Sequence, residues 1–147
     1  MRFLLDTMVV SETRKKAPDA NISSWLASVA RQDLCLSVAT LYEIQRGIAL
    51  VKSRDPPFAR ALIKWLDLLI QTYASQILPV DGAVALRWGT LSGAVGNENA
   101  GLIIAATALE HGLVVATRDT GDFLRAGAPV LNPFQAGPEV VHPRPRH

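Results

Sequence analysis

Short apolar runs alternate with longer helix-like stretches along this chain, and this alternation constrains the fold more than any other feature. Strands are predicted at residues 3–5, 34–38, 77–80, 114–116 and 130–131, with helix-like segments between most of them. Parallel strands need crossover connections, which helices usually supply. The pattern therefore predicts an α/β protein with three layers, α/β/α, around a central and mostly parallel sheet.

Capping residues indicate where several of the helices begin and end. Asp19 and Asp81 each stand where a side-chain oxygen can accept a hydrogen bond from a free amide of a first turn, and a further helix opens at about Asn99. Gly112 suits the left-handed residue that often ends a helix. The predicted helices cover residues 9–16, 20–29, 39–52, 57–73, 82–91 and 99–111.

The length and composition fit a single domain with a full core. The chain has 147 residues, of which 49% are hydrophobic. Residues 1–134 are predicted to form the domain. Residues 135–147 are rich in proline and show no periodicity, so an irregular tail is predicted there.

Charge and hydropathy favour a cytoplasmic protein with no membrane contact. No apolar run approaches the roughly 20 residues that span a bilayer, and Asp6 interrupts the only apolar stretch near the start. The net charge of +2 permits an anionic partner such as RNA. Six basic residues can form an RNA-facing rim or simply lie in solvent: Arg14, Lys15, Lys16, Arg46, Lys52 and Arg54.

Three acids stand close to the ends of predicted strands. Asp6 follows the first strand, Glu43 lies one turn into the helix after the second, and Asp119 follows the strand at 114–116. In open α/β sheets, sites form outside the carboxyl ends of the strands. If these strands are parallel neighbours, the three carboxylates converge on one spot.

Three segments carry a family resemblance. LLDTMVVSE, SVATLYEIQRGIAL and LIIAATALEHGLVVATRDTGDF resemble the signature blocks of PIN-domain ribonucleases, specifically the VapC and FitB toxins of type II toxin–antitoxin pairs. The resemblance lies in the order and spacing of the blocks, from residue 1 to about residue 134.

The resemblance implies roles for particular residues and partners. It implies that Asp6, Glu43 and Asp119 bind metal, that Thr7 and Ser11 are polar neighbours, and that Asp122 is an auxiliary acid. It also implies an RNA substrate, a homodimer, and a cognate antitoxin that blocks the acidic pocket.

The chain departs from the family pattern at two positions. Gly101 stands where the family usually has Asp, and Met8 where it often has Asn. Glu98 precedes Gly101 by three residues, so its carboxylate can reach the same place if the helix begins early enough. Alternatively, Glu98 is an exposed acid stabilised by the helix dipole. The number of bound metals is therefore open.

The predicted chemistry is hydrolysis of RNA phosphodiester bonds assisted by Mg²⁺ or Mn²⁺. These hard cations take oxygen ligands, which converging acids supply. Without metal, the acids repel one another, so at least one carboxyl is expected to have a raised pKa. The sequence leaves two alternatives to this prediction: a weakened PIN domain that only binds RNA or antitoxin, and a receiver-type phosphotransfer domain. The second alternative is weak, because this chain has neither paired acids near its start nor a well-placed late lysine after a strand.

Overall fold

A single sheet with strand order β3-β2-β1-β4-β5-β6 organises the molecule. The structure, a computed structural model, describes residues 1–96 and 99–145. All neighbouring strands run parallel except β6, which is antiparallel to β5. The strands of the described residues are β1 (Phe3–Leu5), β2 (Leu34–Ser37), β3 (Ile77–Leu78), β4 (Val114–Ala116), β5 (Val130–Leu131) and β6 (Val140–Val141).

Helices cover both faces of the sheet, which confirms the predicted three-layer fold. Helices α1 to α4 pack on one face, and α6 and α7 pack on the other with α5 against α6. The helices of the described residues are α1 (Thr7–Glu12), α2 (Ala20–Ser28), α3 (Val38–Val51), α4 (Pro56–Tyr73), α5 (Gly82–Val95), α6 (Ala100–His111) and α7 (Thr120–Arg125).

The three strands at the centre of the sheet are fully buried because their alternate residues enter two different cores. In β1, Phe3 and Leu5 join the core under α1 to α4, whereas Leu4 joins the core under α6 and α7. Strands buried on both faces read as continuous apolar runs, as they do in this sequence. The carboxyl ends of β1, β2 and β4 therefore lie side by side at one edge.

The longest helix, α4, has apolar residues interrupted by charged ones. Arg60, Lys64 and Asp67 all lie on its exposed surface. No helix within the described ranges is both long enough and apolar enough to cross a membrane.

The first helix differs from its predicted range of 9–16. It begins at Thr7, because Asp6 caps it, and ends at Glu12. The Glu12 carboxylate accepts hydrogen bonds from Lys15 and from the amide of Asp19, which turn the chain back towards α2. The capping role of Asp6 moves the helix start two residues earlier than the apolar pattern indicated.

The predicted ends of three other elements differ from the observed ends by one to four residues, and each difference has a local cause. Strand β2 ends at Ser37 rather than 38, because the Ser37 hydroxyl caps α3. Strand β3 ends at Leu78 rather than 80, because Pro79 has no amide hydrogen to donate. Helix α5 continues past 91 to Val95, where Gly96 adopts a left-handed conformation with φ of 85°.

Four short elements of the described residues were not predicted: a helix, a strand, and the two 3₁₀ helices Arg31–Asp33 and Ala74–Gln76. Helix α7 occupies six residues after Asp119, and strand β6 lies inside the segment expected to be an irregular tail. The two valines of β6 stand among prolines and glycines and show no periodicity, so only their pairing with β5 identifies them as a strand. The last two residues, 146 and 147, lie outside the described residues.

Candidate active site

Asp6 lies at the carboxyl end of β1 and has both carboxylate oxygens engaged. Its Oδ1 accepts a hydrogen bond of 2.8 Å from the Thr7 amide, which caps α1. Its Oδ2 accepts one of 2.8 Å from the Thr117 hydroxyl at the end of the neighbouring strand β4. Asp6 is therefore a helix cap and also a side chain held in place by an adjacent strand.

Burial is the largest influence on the pKa of the Asp6 carboxyl. Burial raises its pKa above the usual value, hydrogen bonds from Thr117 and Thr7 oppose this rise, and the charge of Glu43 adds to it. The predicted rise in the pKa of at least one acid is confirmed in direction. Its main cause is loss of solvent rather than repulsion between acids.

Glu43 on α3 is connected to the first helix through a threonine. The Thr7 hydroxyl donates a hydrogen bond of 2.8 Å to Glu43 Oε1 and lies 3.0 Å from the Thr40 hydroxyl. Because a hydroxyl has one proton, the Thr40 hydroxyl must donate to Thr7. This chain of hydrogen bonds orients Glu43 and joins it to the residue next to Asp6.

Asp119 follows β4 and opens α7, but its side chain does not cap that helix. Its backbone amide donates a hydrogen bond of 2.9 Å to the Thr117 hydroxyl. Partial desolvation raises the pKa of Asp119, and the side chains of Asp122 and Asp6 raise it further, while Arg125 lowers it. Asp122 also forms an ion pair with Arg125.

All these acids line one cleft of about 700 Å³ at the carboxyl edge of the sheet. The auxiliary residues predicted from the sequence, Thr7 and Ser11, line it as well. Among the described residues, the acids in the lining are Asp6, Glu12, Glu43, Asp119 and Asp122.

The two positions that depart from the family pattern also line the cleft. Met8 is about half exposed there, and Gly101 lies in the first turn of α6. A Cβ atom at Gly101 would lie 3.2 Å from Oδ1 of Asn99, the residue that caps α6 by accepting from the Leu102 amide. Glu98, the proposed replacement carboxylate, lies outside the described residues.

The cations of the cleft match the predicted basic rim only in part. Arg14 and Lys15 contribute to the lining. Lys16, Arg46, Lys52 and Arg54 do not. Two arginines that the sequence reasoning had not singled out, Arg118 and Arg125, lie in the lining instead.

The arrangement fits a hydrated divalent cation better than a closed metal cage. Within residues 1–96 and 99–145, no three acidic, histidine or cysteine side chains are grouped closely enough to hold one ion. The prediction that three carboxylates meet at one spot is therefore not met as stated. However, magnesium keeps several waters and uses one or two carboxylates plus phosphate oxygens. The oxygen donors of Asp6, Glu43 and Asp119 have the right chemistry for that.

Two buried threonines were missed by the sequence reasoning. Thr40 and Thr117 are fully buried, and each hydroxyl belongs to a hydrogen-bond chain that ends on a carboxylate. Spacing provided a signal, because Thr40 precedes Glu43 by three residues on the same helix and Thr117 precedes Asp119 by two.

Comparison with known families gives a match over most of the chain. The PIN domain model matches residues 3–129. The plasmid stability protein StbB of Pseudomonas syringae pv. tomato is 36% identical over 141 residues, covering 91% of this chain and 99% of the relative. Toxin FitB of Neisseria gonorrhoeae is 37% identical over 140 residues, covering 90% and 98%. The VapC ribonuclease Y4jK of Sinorhizobium fredii is 34% identical over 142 residues, with the same coverage.

Solved structures show the same fold. The crystal structure of FitAcB from Neisseria gonorrhoeae contains a chain that is 36% identical, with a TM-score of 0.78, covering 90% of this chain and 99% of that one. A structure of FitAB bound to an IR36 DNA fragment gives 34% identity and a TM-score of 0.75, covering 90% and 96%.

Proposed function

We propose that this chain, which belongs to the PIN-domain family, is a metal-dependent endoribonuclease and the toxin of a type II toxin–antitoxin pair. The observation that carries the proposal is the placement of Asp6, Glu43 and Asp119, which all line one cleft at the carboxyl edge of the sheet. One relative of similar length is named a VapC ribonuclease, which supports RNA as the substrate.

The acids of the cleft would hold Mg²⁺ or Mn²⁺. Asp6, Glu43 and Asp119 are the proposed ligands, and Glu98 is a further candidate. The chemistry that such an ion supplies when bound is Lewis acidity, which makes water a better nucleophile and offsets the charge that develops on a phosphate.

The residues of the chain itself orient the ligands. The Thr7 hydroxyl directs Glu43 Oε1, and the Thr117 hydroxyl directs Asp6 Oδ2, so neither carboxylate can rotate freely. Such partners behind metal ligands typically matter for metal affinity or activity. In the proposed reaction, water attacks phosphorus and the phosphodiester P–O bond breaks, so no nucleophilic side chain is required.

We further propose a cognate antitoxin and a homodimer as partners, with the protein acting in the cytoplasm, where its RNA lies. Similar chains occur in the FitAcB and FitAB structures, which supports an antitoxin. Exposed apolar side chains on α3 and α4 offer a surface for association, since Tyr42 and Leu68 are each 61% exposed.

A second candidate function is an RNA- or antitoxin-binding module without cleavage. Gly101 favours it, because the cleft lacks a carboxylate where the family usually has one. A cleavage assay separates the two functions.

The test compares cleavage of cellular RNA by the purified chain in Mg²⁺ and in EDTA. We expect cleavage only with metal, and none by Asp6→Asn, since this change keeps the side-chain shape but removes a negative ligand. Asp67→Asn is the matched control, because Asp67 is an exposed acid on α4 outside the cleft.

The same variants give a second readout in cells. Expression of the wild type and of Asp67→Asn should arrest growth, whereas Asp6→Asn should not. Cleavage by Asp6→Asn at the wild-type rate would contradict the catalytic assignment. A wild type that binds RNA but cuts none at any Mg²⁺ concentration would favour the binding module.

A further inference from the structure

The four cations that line the cleft have different partners. Lys15 pairs with Glu12, and Arg125 pairs with Asp122, so acids of the same short segments hold these two charges. The other two lie over aromatic rings: the guanidinium carbon of Arg118 is 3.7 Å from the centre of the Phe134 ring, and that of Arg14 is farther, 5.7 Å, from the centre of the Phe58 ring. Among the described residues, Arg118 forms no ion pair, although its charge helps to lower the pKa of Glu12 across the cleft.

A guanidinium on a ring face differs from one in an ion pair because its hydrogen-bond donors are not used. The five N–H groups lie in the plane of the guanidinium, and none of the hydrogen bonds found among the described residues uses those of Arg118. Arg118 is exposed, so these donors face solvent in the cleft. Such a group is ready to bind a planar or tetrahedral anion, and phosphate accepts two parallel hydrogen bonds from it.

The ring beneath Arg118 is held in place by its own backbone. The Phe134 carbonyl accepts a hydrogen bond of 2.8 Å from Asn21 Nδ2, and the Phe134 amide donates one of 3.0 Å to Asn132 Oδ1. Phe134 is half-buried and packs against the core under α1 to α4. The guanidinium therefore has a fixed support, which reduces the entropy lost when it binds a ligand.

The position of Arg118 beside the acids indicates which ligand it meets. It precedes Asp119 in sequence, and both side chains line the same cleft. RNA that enters an acidic cleft brings further negative charge, so a nearby unpaired cation would reduce the repulsion. We propose that Arg118, supported by Phe134, binds a phosphate of the RNA backbone beside the cleavage site. This inference rests on the proposed ribonuclease function.

Phe134 lies beyond residue 129, where the match to the family model ends.

The test measures RNA binding rather than cleavage. The Asp6→Asn protein is titrated into a fluorescein-labelled single-stranded RNA in Mg²⁺ buffer at several salt concentrations. Adding Arg118→Ala should weaken binding roughly tenfold, as expected for loss of a charged hydrogen bond. It should also reduce the slope of log K against log salt by about 0.7, the change expected for one lost phosphate contact on a single strand.

Two further variants separate the charge from its support. Phe134→Leu keeps the charge, so the salt slope should stay the same while affinity falls by about two- to fivefold, the size of an exposed cation–π contact. Arg60→Ala is the matched control, because it removes one exposed arginine on α4 outside the cleft. It should change the affinity and the salt slope much less than Arg118→Ala.

The outcomes distinguish this inference from the proposed function. Equal salt slopes for Arg118→Ala and Arg60→Ala, or no RNA binding by the Asp6→Asn parent at low salt, would overturn the phosphate contact. Loss of antitoxin binding with unchanged RNA binding would assign Arg118 to a protein carboxylate instead. A wild type that binds RNA through Arg118 but never cleaves it would refute the nuclease and leave the contact standing.

Discussion

The hydroxyl of Thr117 donates a hydrogen bond to Asp6 Oδ2 across 111 positions of sequence. The same hydroxyl accepts a hydrogen bond from the backbone amide of Asp119. One buried threonine thus connects two of the proposed metal-binding acids, and it does so at the junction of the adjacent parallel strands β1 and β4. This relationship leads to the first prediction.

Thr117→Val should lower the cleavage rate at limiting Mg²⁺ by roughly 10- to 100-fold, the usual effect of losing a partner behind a metal ligand. Valine has nearly the same shape as threonine, but it cannot donate to Asp6. Since that hydrogen bond lowers the pKa of Asp6, its loss should also move the acidic side of the pH–rate profile to higher pH.

The control for this change is Thr117→Ser, which keeps the hydroxyl and should restore most of the rate and the original pH profile. Circular dichroism checks that both variants fold. A valine variant with the wild-type rate and profile at limiting Mg²⁺ would refute the positioning role.

The raised pKa of Asp6 predicts a pH-dependent stability of the metal-free protein. Burial raises the pKa of the Asp6 carboxyl above its usual value of 3.8, so the folded state holds the proton more tightly than the unfolded chain does. Stability from this group is therefore fully present below that value and is lost as the pH rises through the folded pKa.

Urea unfolding in EDTA checks this effect. Asp6→Asn should have a higher free energy of unfolding than the wild type at neutral pH, and the difference should shrink as the pH approaches 4. Asp67→Asn, which changes an exposed acid, should show no such trend. A wild type that is the more stable of the two at neutral pH would mean that burial of Asp6 has no net cost.

Magnesium should stabilise the isolated protein, because a ligand that binds only the folded state adds stability once its concentration exceeds its dissociation constant. The gain is about 2.7 kcal/mol at a hundredfold excess over that constant. Thermal melts with a Mg²⁺ series and with EDTA measure it.

Asp6→Asn should lose most of the shift caused by Mg²⁺, and Asp67→Asn should keep it. Identical melting midpoints for the wild type across millimolar Mg²⁺ would argue against a metal site in the cleft.

Glu98 should provide the carboxylate that Gly101 lacks. On this basis, Glu98→Gln lowers the cleavage rate by a factor similar to the loss of another metal ligand. Gly101→Asp then helps little, because two acids compete for one place. Initial rates on one RNA at saturating and limiting Mg²⁺ test both changes.

The test of Gly101→Asp needs a control for the steric effect of a new side chain at this position. Any side chain at Gly101 brings a Cβ atom to within 3.2 Å of Asn99 Oδ1, so the helix cap must shift by a few tenths of an ångström. Gly101→Asn imposes the same shift without a charge, and its rate is the reference for Gly101→Asp. A silent Glu98→Gln together with a gain for Gly101→Asp would show that Glu98 takes no part.

Sequence by itself determined the features that depend on neighbours along the chain. Asn99 and Gly112 bound α6 because capping uses hydrogen bonds within a single turn, and both predicted ends are confirmed. Asp6 was placed at the end of a strand because three apolar residues precede it, and β1 ends at Leu5.

Only the tertiary structure decided what these residues do to one another. The partner of Glu43 is Thr7, 36 positions away, and the partner of Asp6 is Thr117, so no local pattern reveals either contact. The pKa of Asp6 rises chiefly because the packed fold excludes water from it. Residues distant in sequence create that burial together, and therefore the environment of the carboxylate exists only after the chain has folded.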